Sequence, residues 1–127
     1  NWELICWRGA VNAAIRGKRG QQFLRELLVA LDAMPEKRLI ADELEANGEV
    51  CVLGAIGKAR GVSMHGLDPE DRKQCAEVFG IAPALVAEIV FENDEDFCYD
   101  GSETSEHRWS RMRQWVEAQL TPMKASP

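Results

Sequence analysis

Apolar side chains recur at intervals of three and four residues through most of the chain, a spacing that predicts amphipathic helices. The first such segment covers residues 2–15, and the second covers Gln21–Met34, where Pro35 ends it. Later segments with this spacing are Leu53–Arg60, the stretch between Asp68 and Gly80, the stretch with Leu85, Val86, Ile89 and Val90, and the stretch from Ser105 to Leu120. The pattern predicts a mainly α fold of five or six helices.

The segment between the second and third helices has a different pattern. Leu39-Ile40 and Val50-Cys51-Val52 lie on either side of Asn47-Gly48, a dipeptide favoured in tight hairpin turns. We therefore predict one short β-hairpin around residues 38–52. Because residues 41–48 are polar and acidic, a helix over Lys37–Ala46 is an open alternative.

Helix ends are also marked in the sequence. Asp68 is expected to cap a helix whose first position is Pro69, and Ser105 is expected to cap the last helix. The two glycines of Gly17–Gly20 predict a turn between the first two helices. Residues 1–127 are predicted to form a single helical domain with a short flexible tail from about residue 122.

The tryptophans are placed near the two ends of the chain. In the first helix, Leu4, Trp7, Val11 and Ile15 are expected to face inward. Trp2, Trp7, Trp109 and Trp115 are expected to pack together as the two terminal helices meet. A base-stacking platform is disfavoured because basic residues do not alternate with these rings.

Charge is distributed unevenly along the chain. The net charge is −6, yet residues 1–25 carry five basic side chains and one acidic side chain, while the remainder is strongly acidic. An acidic protein is unsuited to sequence-independent nucleic-acid binding, which needs a basic face. No apolar run approaches the roughly 20 residues of a membrane-spanning helix, so the expected location is the cytoplasm.

Cysteine and histidine are too sparse and too far apart to indicate a metal site or a catalytic centre. Cys6, Cys51, Cys75 and Cys98 form no close pair, and His65 and His107 are the only histidines. We predict reduced, buried or half-buried thiols, no cofactor, no metal and no catalytic residue. The nine-residue spacing of Cys98 and His107, with the turn around Lys18, leaves a small nucleotide-binding protein or enzyme as an alternative.

A helix-turn-helix pattern is present between Cys75 and Ile89, with Ala76 and Gly80 as the small residue and the turn. A small DNA-binding regulator is therefore a second alternative. The second helix would expose Ala82, Pro83, Ala84, Ala87 and Glu88, which supply no side-chain donor for base edges or phosphates. We interpret the pattern as a packing motif, and direct nucleic-acid binding is not expected.

Two charged segments are candidate contact sites. Arg16, Lys18 and Arg19 precede a helix N-terminus and form a candidate anion contact, although the spacing is not that of a phosphate-binding P-loop. Residues 92–106 contain seven acidic and no basic side chains, which predicts a solvated loop. Its candidate acidic partner surface comprises Glu92, Asp94, Glu95, Asp96 and Asp100. A calcium loop starting at Asp96 is disfavoured because Cys98 and His107 occupy ligand positions.

Three short motifs suggest a family. Cys51-Val52-Leu53-Gly54, Phe79-Gly80-Ile81 and Phe91-Glu92-Asn93-Asp94-Glu95 together resemble a loose group of small uncharacterised proteins of bacteriophages and prophages. The resemblance covers about residues 22–120 and implies no catalytic residue. It implies a phage accessory protein that binds and redirects a host protein.

Taken together, these patterns predict a non-enzymatic protein-interaction module of phage or prophage origin. Its expected partner is a host or phage protein with a basic surface. An acidic surface of this kind is suited to inhibiting a host defence or nucleic-acid-handling protein, because it competes with nucleic acid for a basic groove.

Overall fold

The computed structural model of the chain describes residues 2–95 and 103–122. The elements in these ranges are α1 (Trp2–Arg16), α2 (Lys18–Ala33), β1 (Glu45–Ala46), β2 (Glu49–Val50), α3 (Val52–Ala59), α4 (Arg72–Phe79), α5 (Pro83–Asp94) and α6 (Ser105–Gln119). The prediction of a mainly α fold with one short hairpin is confirmed.

Helices α1 and α2 are separated by one residue rather than by the predicted four-residue turn. Gly17 has the extended backbone of an N-cap, with φ −65° and ψ 159°, and α2 begins at Lys18. Gly20 is therefore inside α2, and its role is close packing. A Cβ atom at Gly20 would lie 1.8 Å from the carbonyl oxygen of Ala14, so only glycine lets the two helices approach this closely.

The hairpin turns at Asn47-Gly48, as predicted, with φ angles of +54° and +81°. Positive φ at both central residues is typical of the turn type that matches strand twist. The predicted first strand is wrong: β1 is Glu45–Ala46, which pairs antiparallel with β2. Leu39-Ile40 instead runs beside the hairpin, where Ile40 N–H donates to the Val50 carbonyl at 2.9 Å. The alternative helix over Lys37–Ala46 is also wrong.

Two predicted helix starts are displaced. Helix α4 begins after Asp71, whose side chain accepts a hydrogen bond from Gln74 N–H at 3.1 Å. Asp68 accepts from Glu70 N–H within the preceding turn. Helix α6 is capped by Thr104, which accepts from His107 N–H at 3.0 Å, and not by Ser105. In both cases a neighbouring residue of the same capping chemistry takes the role.

One hydrophobic core joins all six helices. Helix α2 contributes the largest share, and the fully buried large side chains are Phe79, Leu24, Leu27, Leu31, Leu39, Leu53, Ile56, Leu85, Ile89, Met112, Val11 and Val52. Because α3, α5 and α6 all place apolar residues in this cluster, the described part of the chain has a single core.

Asn93 connects the end of α5 to the hairpin segment. Its side-chain oxygen accepts from Val52 N–H at 3.0 Å, and its amide nitrogen donates to the Ile40 carbonyl at 2.9 Å. The side chain is buried, with 1% exposed. The motifs around Cys51 and Asn93 thus meet in space, and their contact caps the N-terminus of α3.

Candidate partner-binding surface

The candidate anion contact lies at the junction of α1 and α2. Arg16 ends α1, Lys18 and Arg19 begin α2, and all three side chains are exposed. The first turn of α2 has no acidic residue and its N-cap has no side-chain hydrogen bond. The structure therefore brings three cations to the positive end of a helix dipole.

The candidate acidic partner surface divides into three parts. Asp94 faces the hairpin segment, where its carboxylate accepts from Asp42 N–H at 3.1 Å. Glu92 and Glu95 are half-buried near the end of α5. Asp96 and Asp100 lie outside the described residues, as does the Cys98 of the candidate thiol–histidine pair.

The acidic segment is not a solvated loop throughout. Residues 92–94 belong to α5, and Arg111 of α6 donates to the carbonyls of Glu92 and Glu95 at 2.6 and 2.9 Å. Arg111 also forms two hydrogen bonds of 2.7 Å with Glu103, whose side chain is fully covered. These hydrogen bonds from Arg111 hold the pKa of Glu103 below its usual value. Internal pairing therefore occupies part of the acidic segment 92–106.

Helices α4 and α5 form the predicted helix-turn-helix pair. Gly80 has the left-handed conformation, φ 72°, and its N–H donates to the Ala76 carbonyl. Helix α5 packs against α1, α3 and α6 as well as α4, and Glu88 is buried where Arg8 reaches it. Helix α5 is therefore largely buried, and Pro83 and Phe91 are its most exposed residues. In the described residues no single helix is long and apolar enough to cross a membrane, while α4 and α5 pass that test only as a pair bent by 105°.

The expectation for the tryptophans is wrong at the start of the chain. Val11 and Ile15 are buried as predicted, but Trp2 is 76% exposed and Trp7 is 40% exposed. Trp109 and Trp115 are half-buried against the core instead. The hydrophobic core contacts the second half of α1. The apolar stripe of α1 extends further toward the N-terminus, where its side chains are exposed.

We define the ledge as Leu4, Trp7 and Phe91. Leu4 and Trp7 extend the inward stripe of α1 toward its N-terminus and are 59% and 40% exposed; Phe91 of α5 is 56% exposed. Helices α1 and α5 are joined beside it by the Arg8–Glu88 ion pair, N···O 3.2 Å. The ledge therefore consists of exposed apolar side chains that are carried by two packed helices.

Acidic side chains border the ledge. The pKa of Glu92 is raised by burial and then by the nearby Glu88 carboxylate, while Arg111 and Arg8 act in the opposite direction. Glu95 adds a further negative charge near Glu92. Glu92 and Glu95 thus follow the exposed Phe91 at the end of α5, with Arg8 and Arg111 close enough to act on Glu92.

The opposite side of α1 is apolar too. We define the outer stripe as Trp2, Ile5, Cys6 and Gly9, whose spacing places them along one face of the helix. Trp2 and Ile5 are 76% and 62% exposed, and Cys6 is also exposed. An ordinary surface helix carries polar residues on this face, so the first half of α1 is apolar around most of its circumference.

Two hollows lie elsewhere on the surface. One, with a volume of about 470 Å³, lies between α2, α3 and the hairpin. Its lining is mainly apolar and includes two acidic and two basic residues, Glu36, Glu49, Arg38 and Lys58. The other, of about 370 Å³, is acidic and is lined by Asp42, Glu43, Glu45, His65 and Asp68 among others. No group of three His, Cys, Asp or Glu in residues 2–95 and 103–122 is placed to hold a metal ion.

The described cysteines differ in accessibility. Cys51 is fully buried at the N-cap of α3, and burial raises the pKa of its thiol to about 12. Burial also raises the pKa of Cys75. Thiols of high pKa are poor nucleophiles. Cys6 is the exposed cysteine in the part of the chain that the structure describes.

The exposure of the ledge and of the outer stripe was not predicted. Helical periodicity shows which side of a helix faces the core, but it does not show how far along the helix the core extends. A signal was present in Trp2–Trp7, where five of six residues are apolar. A helix that is apolar all round needs cover on every side.

Comparison with family models, with curated proteins and with solved structures gives no match to this chain.

Proposed function

We propose that the protein is a non-enzymatic interaction module that binds another protein through the ledge. The observation that carries this proposal is the exposure of Leu4, Trp7 and Phe91 on two packed helices. Exposed apolar clusters on a folded domain mark interaction sites, and tryptophan is among the residues that contribute most to binding energy at interfaces.

The chemistry of the rim describes the partner. Glu92 and Glu95 border the ledge, and residues 26–127 carry twice as many acidic as basic side chains. Complementary charge raises association rates and disfavours acidic partners. We therefore propose a partner with an apolar segment and a basic surround, as on a nucleic-acid-handling or defence protein whose basic groove this module inhibits. The phage or prophage origin stays a prediction from the resemblance.

Affinity capture from a bacterial lysate, with and without nuclease, tests this proposal when variants are compared. Trp7→Asp places a charge in the ledge, and Glu95→Lys reverses a charge at its rim. Val29→Asp is the matched control, because Val29 is a 68% exposed apolar residue on α2. Circular dichroism checks that each variant is folded.

The proposal expects a stoichiometric, nuclease-resistant protein that wild type and Val29→Asp retain and Trp7→Asp loses. Glu95→Lys should weaken retention, most strongly at low salt. Capture that disappears with nuclease would favour the DNA-binding alternative. Equal capture by wild type and Trp7→Asp would show that the ledge is not the binding surface.

A further inference from the structure

The larger of the two surface hollows has the dimensions of a small-molecule site. Its volume is about 470 Å³, within the range of roughly 300–1,000 Å³ that is typical of ligand pockets. We call it the α2–α3 hollow, because the last turn of α2 and helix α3 form two of its walls and the hairpin forms the third. Ala30, Val50 and Ala55 line it and also belong to the hydrophobic core. The core therefore fixes the shape of the hollow.

Small side chains keep this space open. Helices α2 and α3 pack against each other, and both present alanines to the hollow, Ala30 and Ala33 from α2 and Ala55 and Ala59 from α3. An alanine side chain ends at Cβ and fills little of the space around it. Met34 adds a flexible apolar side chain that adapts to the shape of its neighbours. The lining therefore suits an apolar group.

Two charged side chains of opposite sign line the hollow without a partner. Arg38 is already engaged, because its Nε lies 3.3 Å from carboxylate oxygens of both Glu49 and Glu106. Glu36 and Lys58 are exposed, and neither side chain has an ion pair or a hydrogen bond within residues 2–95 and 103–122. One carboxylate and one ammonium group are therefore available to a ligand.

We infer that the α2–α3 hollow binds a zwitterion with an apolar body, such as an apolar amino acid or a short apolar peptide with free termini. The apolar body lies against Ala33 and Met34, the ammonium group pairs with Glu36, and the carboxylate pairs with Lys58. Hydrogen bonds between charged groups are stronger than those between neutral groups. A ligand with one charge would satisfy one of these side chains and meet like charge at the other.

An NMR titration of ¹⁵N-labelled full-length protein tests this inference. The probes are leucine, Leu-Leu and Leu-Leu-Leu, which share the two charged termini and differ in length. We expect saturable amide shifts that cluster in residues 30–38 and 48–59, and the probe that binds most tightly gives the length of the ligand. Acetylation of that probe removes its ammonium charge, and amidation removes its carboxylate charge. Each blocked form should bind at least threefold more weakly.

Two variants identify the side chains that recognise the ends of the ligand. Lys58→Gln should make the free and amidated probes bind equally, and Glu36→Gln should do the same for the free and acetylated probes. A residue with a merely structural role would weaken all probes alike. Lys73→Gln and Glu77→Gln are the matched controls, because both residues are exposed on α4. The controls should keep both differences.

Ala33→Phe tests the position of the apolar body. Ala33 is exposed on the last turn of α2 and lines the hollow, so a phenyl ring there occupies the space without displacing a core residue. Ala118→Phe is the matched control, since Ala118 is an exposed alanine on α6. The probe shifts should be lost in Ala33→Phe and kept in Ala118→Phe. If Ala33→Phe does not fold, the two charge variants decide the question.

Three results would overturn the inference. They are the absence of saturable shifts with all three probes, shifts that cluster outside the hollow, and affinities that neither blocked terminus changes. The proposed function is tested separately, because the residues that line the hollow include none from α1 or α5. Trp7→Asp should leave the probe shifts unchanged, and Ala33→Phe should leave capture of the protein partner unchanged.

Discussion

The two terminal helices have the same length and the same number of tryptophans but different surroundings. Both α1 and α6 contain fifteen residues and two tryptophans. Helix α6 lies on the core, where Met112 and Val116 are fully buried and Trp109 Nε1–H donates to the Leu31 carbonyl at 3.2 Å. Helix α1 buries Val11 and Ile15 in its second half and leaves both of its tryptophans exposed.

The difference shows that an apolar stripe on a helix does not by itself reveal whether another part of the same fold buries it. Helix α6 receives its cover from α2 and α5 and is held further by ion pairs of Arg111 and Arg113. Among the described residues, Arg8 joins α1 to α5 through an ion pair with Glu88, and that arginine is half exposed. The first half of α1 therefore carries apolar side chains that are exposed in the described fold.

Truncation of a buried side chain in α6 should give the largest effect. Met112 is fully buried in the core, so Met112→Ala removes apolar contacts and leaves a cavity. We expect a loss of about 2–5 kcal/mol in the free energy of unfolding, measured with urea on dilute protein. Ile5→Ala in α1 should change it by less than about 0.5 kcal/mol under the same conditions. Similar losses in both variants would remove the contrast between the helices.

A pH series should show how much the ionised carboxylate of Glu103, which lies just before α6, contributes to the free energy of unfolding. Arg111 lowers the pKa of Glu103 in the folded protein. A depressed folded-state pKa adds stability above the unfolded value, about 4.3, and that stability is lost as pH falls through the lower folded value. We expect Glu103→Gln to cost about 1–3 kcal/mol at pH 7 and progressively less below pH ~4.

Glu106→Gln is the control for this series. Glu106 is an exposed carboxylate in the first turn of α6, and its side chain is paired at 3.3 Å with Arg38. A surface pair of this kind contributes less than about 1 kcal/mol. A Glu103→Gln loss that stays constant from neutral to acidic pH would show that shape, and not charge, is responsible.

Much of the fold was predictable because local rules decide it. The Asn47-Gly48 turn, the stop at Gly80 and the inward stripe of α6 each follow from residues close in sequence. The errors have a different origin. Gly20 looked like a turn residue, yet it is needed for the contact between α2 and the Ala14 carbonyl, which no short segment reveals.

The candidate surface was harder to predict than the fold for the same reason. The acidic rim was expected from Glu92 and Glu95, because charge can be read directly from a sequence. The pairing of Arg111 with Glu103 was not, since it joins α6 to the segment before it in three dimensions. The exposure of Trp7 depends on where the core ends, and that is a property of the whole fold.

A single hydrogen bond should distinguish the tryptophans of the two helices. Trp109→Phe keeps an aromatic ring but removes the donor to the Leu31 carbonyl. We expect a loss of about 0.5–1.5 kcal/mol in unfolding free energy. Trp7→Phe should cost less than about 0.5 kcal/mol, because the ring at that position is partly exposed in the monomer. An equal cost would mean that Trp7 has a structural partner as important as that of Trp109.

The smallest effect should be a gain in stability, and it compares two glycines around α1. Gly9 is in the helix interior with open space at its Cβ position, whereas a Cβ at Gly20 would collide with Ala14. Gly9→Ala should therefore stabilise the dilute protein by about 0.5–1 kcal/mol and raise its melting temperature. Gly20→Ala should lower the melting temperature. Destabilisation by Gly9→Ala would mean that the first half of α1 already packs against something within the monomer.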